Sequence, residues 1–407
     1  MAGCVVSAPG KILWIGGYSV LERPNVSFVT GVDKRVYVQC REMEQGHVHF
    51  ELPQFDVCAS GKLDGKGIAF KGIVSDGHLK ILKFVRLAAE VCSRYFSQKG
   101  WSFSGVEIKS VSDPAFGFGG SKAGLGSSAA ATVATVGALF ELNGKPVSQN
   151  IALVHRAAQF VHCVAQGKVG SGFDVAAACF GGCKYVRYSP SLIPLGEISD
   201  AELAATLDRE WDCVTEKVDL PQGFEIAMAS FEGESAGTSE MVKLVNAFKQ
   251  AQPQEYAELF AQINLANANA IEAMQKLNRK YQENPRDYLH ALGAVDDDRG
   301  AELMFKKFYD AFRQGRLLTK KLGELSGAKI EPEEYSALVD ASEDKAAFAA
   351  KLPGAGGGDA IAALCLSKDS KLRVEDFWRR YTAKTLRVLP VSVSNAGVRK
   401  EHALPSF

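Results

Sequence analysis

The chain has 407 residues, which is enough for two or three domains that each bury a sizeable core. Hydrophobic residues make up 46% of it and charged residues 23%, both ordinary values for a globular protein in water. Its 47 Lys and Arg residues balance 47 Asp and Glu residues, which argues against a nucleic-acid binder that relies on bulk positive charge. A local basic pocket stays compatible with this balance.

Cysteine usage and the apolar runs bear on the compartment. The nine cysteines are scattered without a C-x-x-C pair, so we expect neither a disulfide framework nor a zinc site. We therefore expect the protein to work in a reducing compartment. The longest uncharged run, Ala123–Phe140, opens with glycines and serines, and we interpret it as a loop followed by a buried helix rather than a membrane span. With no export signal at the first residues, we expect a cytoplasmic protein that does not bind membranes, with a peroxisomal location as the open alternative.

In chain order, the first half is rich in strand patterns. Strands are predicted at Cys4–Ala8, Val26–Thr30, Arg35–Cys40, His47–Leu52, Val106–Ser110 and Cys183–Tyr188. Helical spacing of apolar residues, or flanking cap signals, predicts helices over about 81–95, Ser127–Leu142 and Ser148–Gln166.

The second half has longer helices. Apolar residues recur at helical spacing from Tyr256 to Leu277 and again from Leu303 to Phe312, and strands are predicted at Phe224–Ser230, Ile361–Leu366 and Leu386–Val393. Strands and helices come in blocks rather than in strict alternation, which favours an α+β fold over a doubly wound parallel sheet. We place a domain boundary near Pro221, giving domains 1–220 and 221–407.

The most informative segment is Lys122–Ser128, a glycine loop that opens directly into the predicted helix at Ser127. Glycines let the backbone approach a phosphate closely, and the helix N-terminus adds partial positive charge. The two serines offer hydroxyls to a phosphate or to Mg²⁺, and Lys122 offers a charge. A plain helix cap explains the serines equally well, and the segment matches neither of the two common nucleotide fingerprints.

Three further segments qualify as site candidates. Leu352–Ala360 has four glycines in five residues followed by an apolar run, which favours a second phosphate-approach loop over a linker. In Gly167–Asp174, the carboxylate of Asp174 could accept a proton from a substrate hydroxyl or cap the next helix, and capping is the commoner role. Lys11 follows Gly10 among apolar strand residues; it is either half-buried with a partner or, as is commoner, exposed. Asp296–Asp298 resembles an aspartate-rich metal motif only faintly.

The order and separation of these segments are more specific than any one of them. APGK at 8–11, GLGSSAAA at 124–131, SGFD at 171–174 and GAGGGDA at 354–360 together resemble the GHMP kinase superfamily over nearly the whole chain. Within it, the chain is most similar to the phosphomevalonate kinases of eukaryotic type. That narrower resemblance is carried by four stretches, at 8–22, 165–178, 237–245 and 328–342.

The resemblance implies a fold and a reaction. The fold would be an N-terminal α+β domain (ribosomal protein S5 domain 2-like) and a ferredoxin-like C-terminal domain, with the active site in the cleft between them. The reaction would be the ATP- and Mg²⁺-dependent phosphorylation of 5-phosphomevalonate to 5-diphosphomevalonate, a step of isoprenoid and sterol biosynthesis, by a monomer or homodimer.

The resemblance also implies roles for individual residues. The ATP phosphates would be bound by Lys122, Gly124, Leu125, Gly126, Ser127 and Ser128. The residues acting on the transferred group would be Lys11, Lys122 and Asp174. The substrate would contact Lys11, Tyr18, Ser171, Asp174, Thr238, Ser239, Gly356 and Gly357. The Mg²⁺ ligand would be Ser128.

One departure from the superfamily leaves part of the metal site open. Mevalonate kinases carry a Glu upstream of the segment that corresponds to SGFD, where it binds Mg²⁺, but residues 162–166 here contain no carboxylate. The metal would then be held by Ser128, phosphate oxygens and water, with or without Asp174. A phosphate monoester is mostly ionised at pH 7, with its second pKa at about 6, so little proton removal from the substrate is needed. Whether Asp174 would act as a base or only as a positioning group therefore stays open.

Three alternatives stay open. The first is another small-molecule kinase of the superfamily, such as a mevalonate kinase. The second is a decarboxylase of the same fold, against which the stretch at 328–342 argues. The third, from a different functional class, is a ligand sensor that has this fold without catalysis. The presence of Lys11, Ser128 and Asp174 argues against the sensor.

Overall fold

A computed structural model describes residues 3–64, 67–117, 123–233, 237–295 and 299–407, except for the side chains of residues 299–302. In this part of the chain, no helix combines the length and the apolar character needed to cross a membrane. The strands are β1 (Gly3–Ile15), β2 (Ser27–Met43), β3 (His47–Leu52), β4 (Val57–Leu63), β5 (Ile68–Phe70), β6 (Gly105–Ser112), β7 (Cys183–Val186), β8 (Val214–Lys217), β9 (Glu225–Phe231), β10 (Ala349–Lys351), β11 (Ala360–Cys365), β12 (Leu386–Leu389), β13 (Val393–Ser394) and β14 (Arg399–Glu401). The helices are α1 (Asp76–Gln98), α2 (Ser127–Leu142), α3 (Val147–Gln166), α4 (Phe173–Phe180), α5 (Asp200–Asp208), α6 (Thr238–Ala251), α7 (Pro253–Glu283), α8 (Pro285–Gly293), α9 (Arg299–Ser326), α10 (Glu333–Lys345) and α11 (Lys368–Arg380).

The larger sheet is built around the two long strands β1 and β2. Its main path is β14-β1-β2-β6-β3-β4-β5, with β7 and β13 also pairing with β2 and β8 pairing with β7. Neighbouring strands are antiparallel except for β3 and β6, which are parallel. Helix α2 is buried over most of its length and packs on β1 and β2. Its N-terminus therefore opens next to the middle of β1.

The smaller sheet has the strand order β10-β11-β9-β12, and every described pair in it is antiparallel. In chain order its elements run β9, helices, β10, β11, α11, β12, so the sheet order is 2-3-1-4, as in a ferredoxin-like unit. The predicted α+β fold with a ferredoxin-like second half is confirmed.

The end of the chain returns to the larger sheet. Strands β13 and β14 pair with β2 and β1, and the buried guanidinium of Arg35 donates hydrogen bonds to the carbonyl oxygens of Ala396 and Gly397, at 3.0 and 2.6 Å. The division into domains 1–220 and 221–407 stays a prediction, and residues 393–401 lie with the first half.

Several predicted elements differ from the observed ones. The strands predicted at 26–30 and 35–40 are one strand, β2, which begins at Ser27, because β1 pairs with it on both sides of a register shift. Helix α5 was not predicted; it lies before the predicted boundary, and its N-terminus is held by a capping box between Ser199 and Glu202. The helix predicted from Tyr256 to Leu277 extends from Pro253 to Glu283 as α7, and α8 begins directly after it at Pro285.

Candidate active site

The loop before α2 leaves the helix N-terminus without a side-chain cap. Gly124 and Gly126 have φ values of 70° and 77°, a left-handed conformation that favours glycine. Gly126 is the N-cap residue, and no side-chain hydrogen bond caps the helix there. Because Ser127 and Ser128 are the first two helical residues, the interpretation of these serines as plain caps is wrong. The backbone N–H groups of the first turn are left for an anion.

Lys11, on β1, lies against this loop. Its backbone N–H donates to the carbonyl oxygen of Leu125 at 2.9 Å, and its ammonium donates to that of Gly124 at 2.7 Å. A Cβ on Gly126 would lie only 3.2 Å from Cε of Lys11, so a glycine there lets the lysine stem approach the loop. The expectation that Lys11 is exposed is therefore wrong; it is half-buried with backbone partners.

Burial and neighbouring carboxylates shift the pKa of Lys11 in opposite directions. Burial lowers the pKa of Lys11, and the negative charges of Asp174 and Asp359 oppose that shift. The Phe173 ring centroid is 5.5 Å from the ammonium nitrogen. A buried ammonium with these neighbours is suited to meeting the negative charge of transferred phosphate oxygens.

Two cavities meet at Lys11. A cavity of about 450 Å³ is bordered by the loop 123–128 and by Asp174, and the rest of its wall is largely apolar. Its apolar lining includes Val36, Leu52, Phe55, Ile81, Phe84, Val85 and Phe116. A smaller cavity of about 170 Å³ lies beyond it, and the two share Lys11, Gly124, Phe173 and Asp359. The larger cavity suits a nucleotide, with its base on the apolar wall and its phosphates at the helix N-terminus.

Asp174 is the second residue of α4 and does not cap it. The N-cap position belongs to Gly172, and Oδ1 of Asp174 accepts a hydrogen bond from the backbone N–H of Val175 at 3.0 Å. Asp174 is therefore not the N-cap residue that the capping interpretation expected, although it binds one N–H of the first turn. Its other oxygen, Oδ2, lies 3.9 Å from Nε2 of His162. The carboxylate borders the nucleotide-sized cavity, where it can position a ligand or bind a cation.

The donor set at the end of this cavity fits Mg²⁺. The Ser128 hydroxyl lies 3.2 Å from the same His162 nitrogen that Asp174 faces, so a hydroxyl and a carboxylate flank one imidazole. Mg²⁺ prefers a few such protein oxygens together with phosphate oxygens and water. No group of three or more His, Cys, Asp or Glu residues suited to a metal occurs in the described ranges. A phosphate-assisted Mg²⁺ site at Ser128 and Asp174 therefore fits better than an all-protein metal cage.

The other predicted substrate residues separate into two groups. Tyr18, Ser171 and Thr238 line the smaller cavity. Ser239 lies beside it, and its hydroxyl accepts a hydrogen bond from the ammonium of Lys168 at 2.8 Å.

The glycines of the late loop have a packing role. A Cβ on Gly356 would lie 2.1 Å from the carbonyl oxygen of Ile330, and the N–H of Gly357 donates to that oxygen at 3.0 Å. The residues of this loop that line the smaller cavity are Pro353, Gly354, Ala355 and Asp359. Substrate contacts of Gly356 and Gly357 stay a prediction. Lys122 and Asp296–Asp298 lie outside the described residues.

Two charged or titratable residues of the site were not predicted from the sequence. Asp359 ends the glycine run and borders both cavities; its place directly after GAGGG was the available signal. His162 reaches Ser128 from α3, and no local pattern could show this, because the contact depends on how α2 and α3 pack.

The comparisons with known proteins agree with this geometry. Residues 83–182 match the family model described as the GHMP kinases N terminal domain, and residues 305–384 match that of the GHMP kinases C terminal domain. The chain belongs to the GHMP kinase superfamily. As a GHMP kinase it is an ATP-dependent phosphotransferase.

Relatives of this GHMP kinase align over most of its length. It is 28% identical to the phosphomevalonate kinase of Candida albicans, over 88% of this chain and 89% of that one. It is 27% identical to the mevalonate kinase of Thermococcus onnurineus, over 98% and 99%. The phosphomevalonate kinase of Streptococcus pneumoniae, solved with phosphomevalonate and AMPPNP, superposes with a TM-score of 0.69 at 17% identity, over 97% and 100%, which shows a shared fold.

Proposed function

We propose that this GHMP kinase is a phosphomevalonate kinase. A phosphate oxygen of 5-phosphomevalonate would attack the γ-phosphorus of ATP, the bond from that phosphorus to the β-phosphate oxygen would break, and 5-diphosphomevalonate and ADP would leave. The similarity to phosphomevalonate kinases over nearly the full chain supports this choice of acceptor.

The position of Lys11 carries the proposal. Lys11 borders both the nucleotide-sized cavity and the smaller one, and it is the one lysine to do so among the described residues. A phosphoryl group in transfer must pass between a nucleotide and an acceptor, and its charge grows on oxygens that a fixed cation can neutralise. Lys11 lies at the junction of the two cavities, where this charge would develop.

The smaller cavity suits a small polar acceptor. It is lined by three residues that carry hydroxyls, Tyr18, Ser171 and Thr238. Thr238 is also the first residue of α6, whose N-cap Gly237 provides no side-chain hydrogen bond. The free N–H groups there, and the nearby ammonium of Lys168, favour an acceptor that carries negative charge.

Asp174 would then position the reactants rather than remove a proton. A phosphate monoester at pH 7 is already ionised for the most part, so its oxygen can attack without a strong base. Ser128 and Asp174 would hold Mg²⁺, which when bound neutralises charge on the ATP phosphates. The uncapped turn at Ser127 and Ser128 would bind the same phosphates through backbone N–H groups.

A coupled assay of ADP release, with phosphomevalonate and mevalonate as parallel acceptors, tests the proposal. We expect turnover with phosphomevalonate at a much higher kcat/KM than with mevalonate. The reverse preference would make the protein a mevalonate kinase, and binding of ATP without turnover of either acceptor would make it a sensor. Cytoplasmic location and a monomeric or homodimeric state stay predictions.

A further inference from the structure

His162 is a buried polar residue with no role in the reaction described above. It is 4% exposed, and its ring stacks on Phe84 of α1, with centroids 5.3 Å apart and planes at 29°. Phe84 lines the apolar part of the nucleotide-sized cavity. The imidazole therefore fills the space between that wall and the first turn of α2.

Three groups meet at Nε2 of His162. The side-chain amide nitrogen of Gln166 lies 3.3 Å from it and the Ser128 hydroxyl oxygen 3.2 Å from it, and Oδ2 of Asp174 is 3.9 Å away. In the tautomer in which Nε2 carries no hydrogen, the amide and the hydroxyl are both donors and share its single lone pair. In that tautomer the lone pairs of the Ser128 oxygen point away from the imidazole, available to a cation in the cavity.

We propose that His162 is a positioning residue that orients the Ser128 hydroxyl for Mg²⁺ and so sets the cation requirement of nucleotide binding. Without an acceptor at this place, the hydroxyl can rotate and donate to its own helix or to the phosphates. Ser128 then presents its hydrogen rather than its lone pairs, and the cation loses an oriented ligand. Residues that orient a metal ligand in this way typically contribute about 10–100-fold to metal affinity or activity.

The test measures binding of AMPPNP by calorimetry at increasing Mg²⁺, without any acceptor. His162→Phe keeps an aromatic ring against Phe84 but has no acceptor, and His162→Gln keeps an acceptor oxygen. We expect His162→Phe to raise the Mg²⁺ concentration for half-maximal binding about tenfold and His162→Gln to raise it much less. The control is His155→Gln: His155 is also buried on α3, but it faces Gln159 and Phe180, and its replacement should leave the Mg²⁺ requirement unchanged.

A double-variant cycle shows whether His162 acts through Ser128. If it does, Ser128→Ala combined with His162→Phe should bind no more weakly than Ser128→Ala alone. Losses that add in the double variant, or an unchanged Mg²⁺ requirement in His162→Phe, would overturn the proposal. Thermal unfolding checks that each variant is folded, and His162→Leu replaces the Phe variant if that one is not.

This inference depends on the ATP use of the GHMP kinase and not on the choice of acceptor. A wild-type protein that binds Mg²⁺ and AMPPNP as described but does not phosphorylate phosphomevalonate would refute the proposed function alone. A wild-type protein that phosphorylates phosphomevalonate, with the His162 variants unchanged, would refute this inference alone.

Discussion

At the scale of single residues, the site depends on a lysine held by its backbone contacts. The two hydrogen bonds that Lys11 makes to Gly124 and Leu125 fix its ammonium where the two cavities meet. The sequence predicted Lys11 as a site residue but left its burial open, because a lysine that follows a glycine can be exposed or buried. The side chain is partly buried because the loop before α2 packs on β1.

Replacing Lys11 should therefore affect chemistry far more than folding. We expect Lys11→Met to lower kcat by about 10²-fold or more, the usual loss when a group that stabilises transition-state charge is removed. Lys276→Met is the matched control, since Lys276 makes only an exposed helical ion pair with Glu272. Near-normal turnover by a folded Lys11→Met protein would show that this charge is not used.

The acid side of the pH–rate profile distinguishes the two possible roles of Asp174, a general base and a positioning group. If the nucleophile is an ionised phosphate, activity should fall below about pH 6 as the substrate gains its proton. Asp174→Asn should lower turnover yet keep that acid limb. Rates measured from pH 5 to 8 for both proteins would decide it, and loss of the limb in the variant would make Asp174 a general base and favour an alcohol as acceptor.

At the scale of elements, α2 and its loop were the best-predicted part of the molecule. The helix was predicted at Ser127–Leu142 and is found there, because glycines bound an Ala- and Val-rich run on both sides. Helix α11 was missed, since charged residues dominate it and few positions, such as Val374 and Trp378, are buried. The packing of α3 on α2, which brings His162 to Ser128, has no local signal at all.

The two ends of α2 provide a controlled test of the phosphate loop. Gly126 and Gly144 both have left-handed φ values, 77° and 65°, so alanine at either should cost about 1 kcal/mol in strain. A Cβ at Gly126 would also press on Lys11, whereas one at Gly144 meets nothing within 4 Å. We expect only Gly126→Ala to weaken AMPPNP binding, by about tenfold. Equal binding by the two variants would contradict the assignment of the loop.

At the scale of the whole molecule, a few polar contacts join the two sheets around the site. The Tyr18 hydroxyl donates to the carbonyl oxygen of Ala355 at 3.0 Å, and the ammonium of Lys351 donates to that of Trp14 at 2.9 Å. The sequence predicted the two halves and the α+β class from the blocks of strands and helices. These contacts join residues more than 300 positions apart, so local patterns could not predict them.

Lys351 gives this interface a measurable pH dependence. Burial lowers the pKa of Lys351 from 10.5 to about 8. Between these values the unfolded chain binds more protons than the folded one, so stability contributed at this site rises with pH. The free energy of unfolding of the wild type relative to Lys351→Met should increase from pH 8 to 10, by at most ~3 kcal/mol. A difference that is flat or falls over this range would show that the lysine is not buried as described.

In the proposed reaction the accepting atom is a phosphate oxygen. Phosphorus NMR of a reaction with phosphomevalonate, ATP and Mg²⁺ reports on that atom directly. We expect the single resonance of phosphomevalonate to be replaced by a coupled pair from a new diphosphate, while ATP is converted to ADP in equal amount. A phosphomevalonate resonance that persists while mevalonate, offered in its place, gains a phosphate monoester resonance would contradict it.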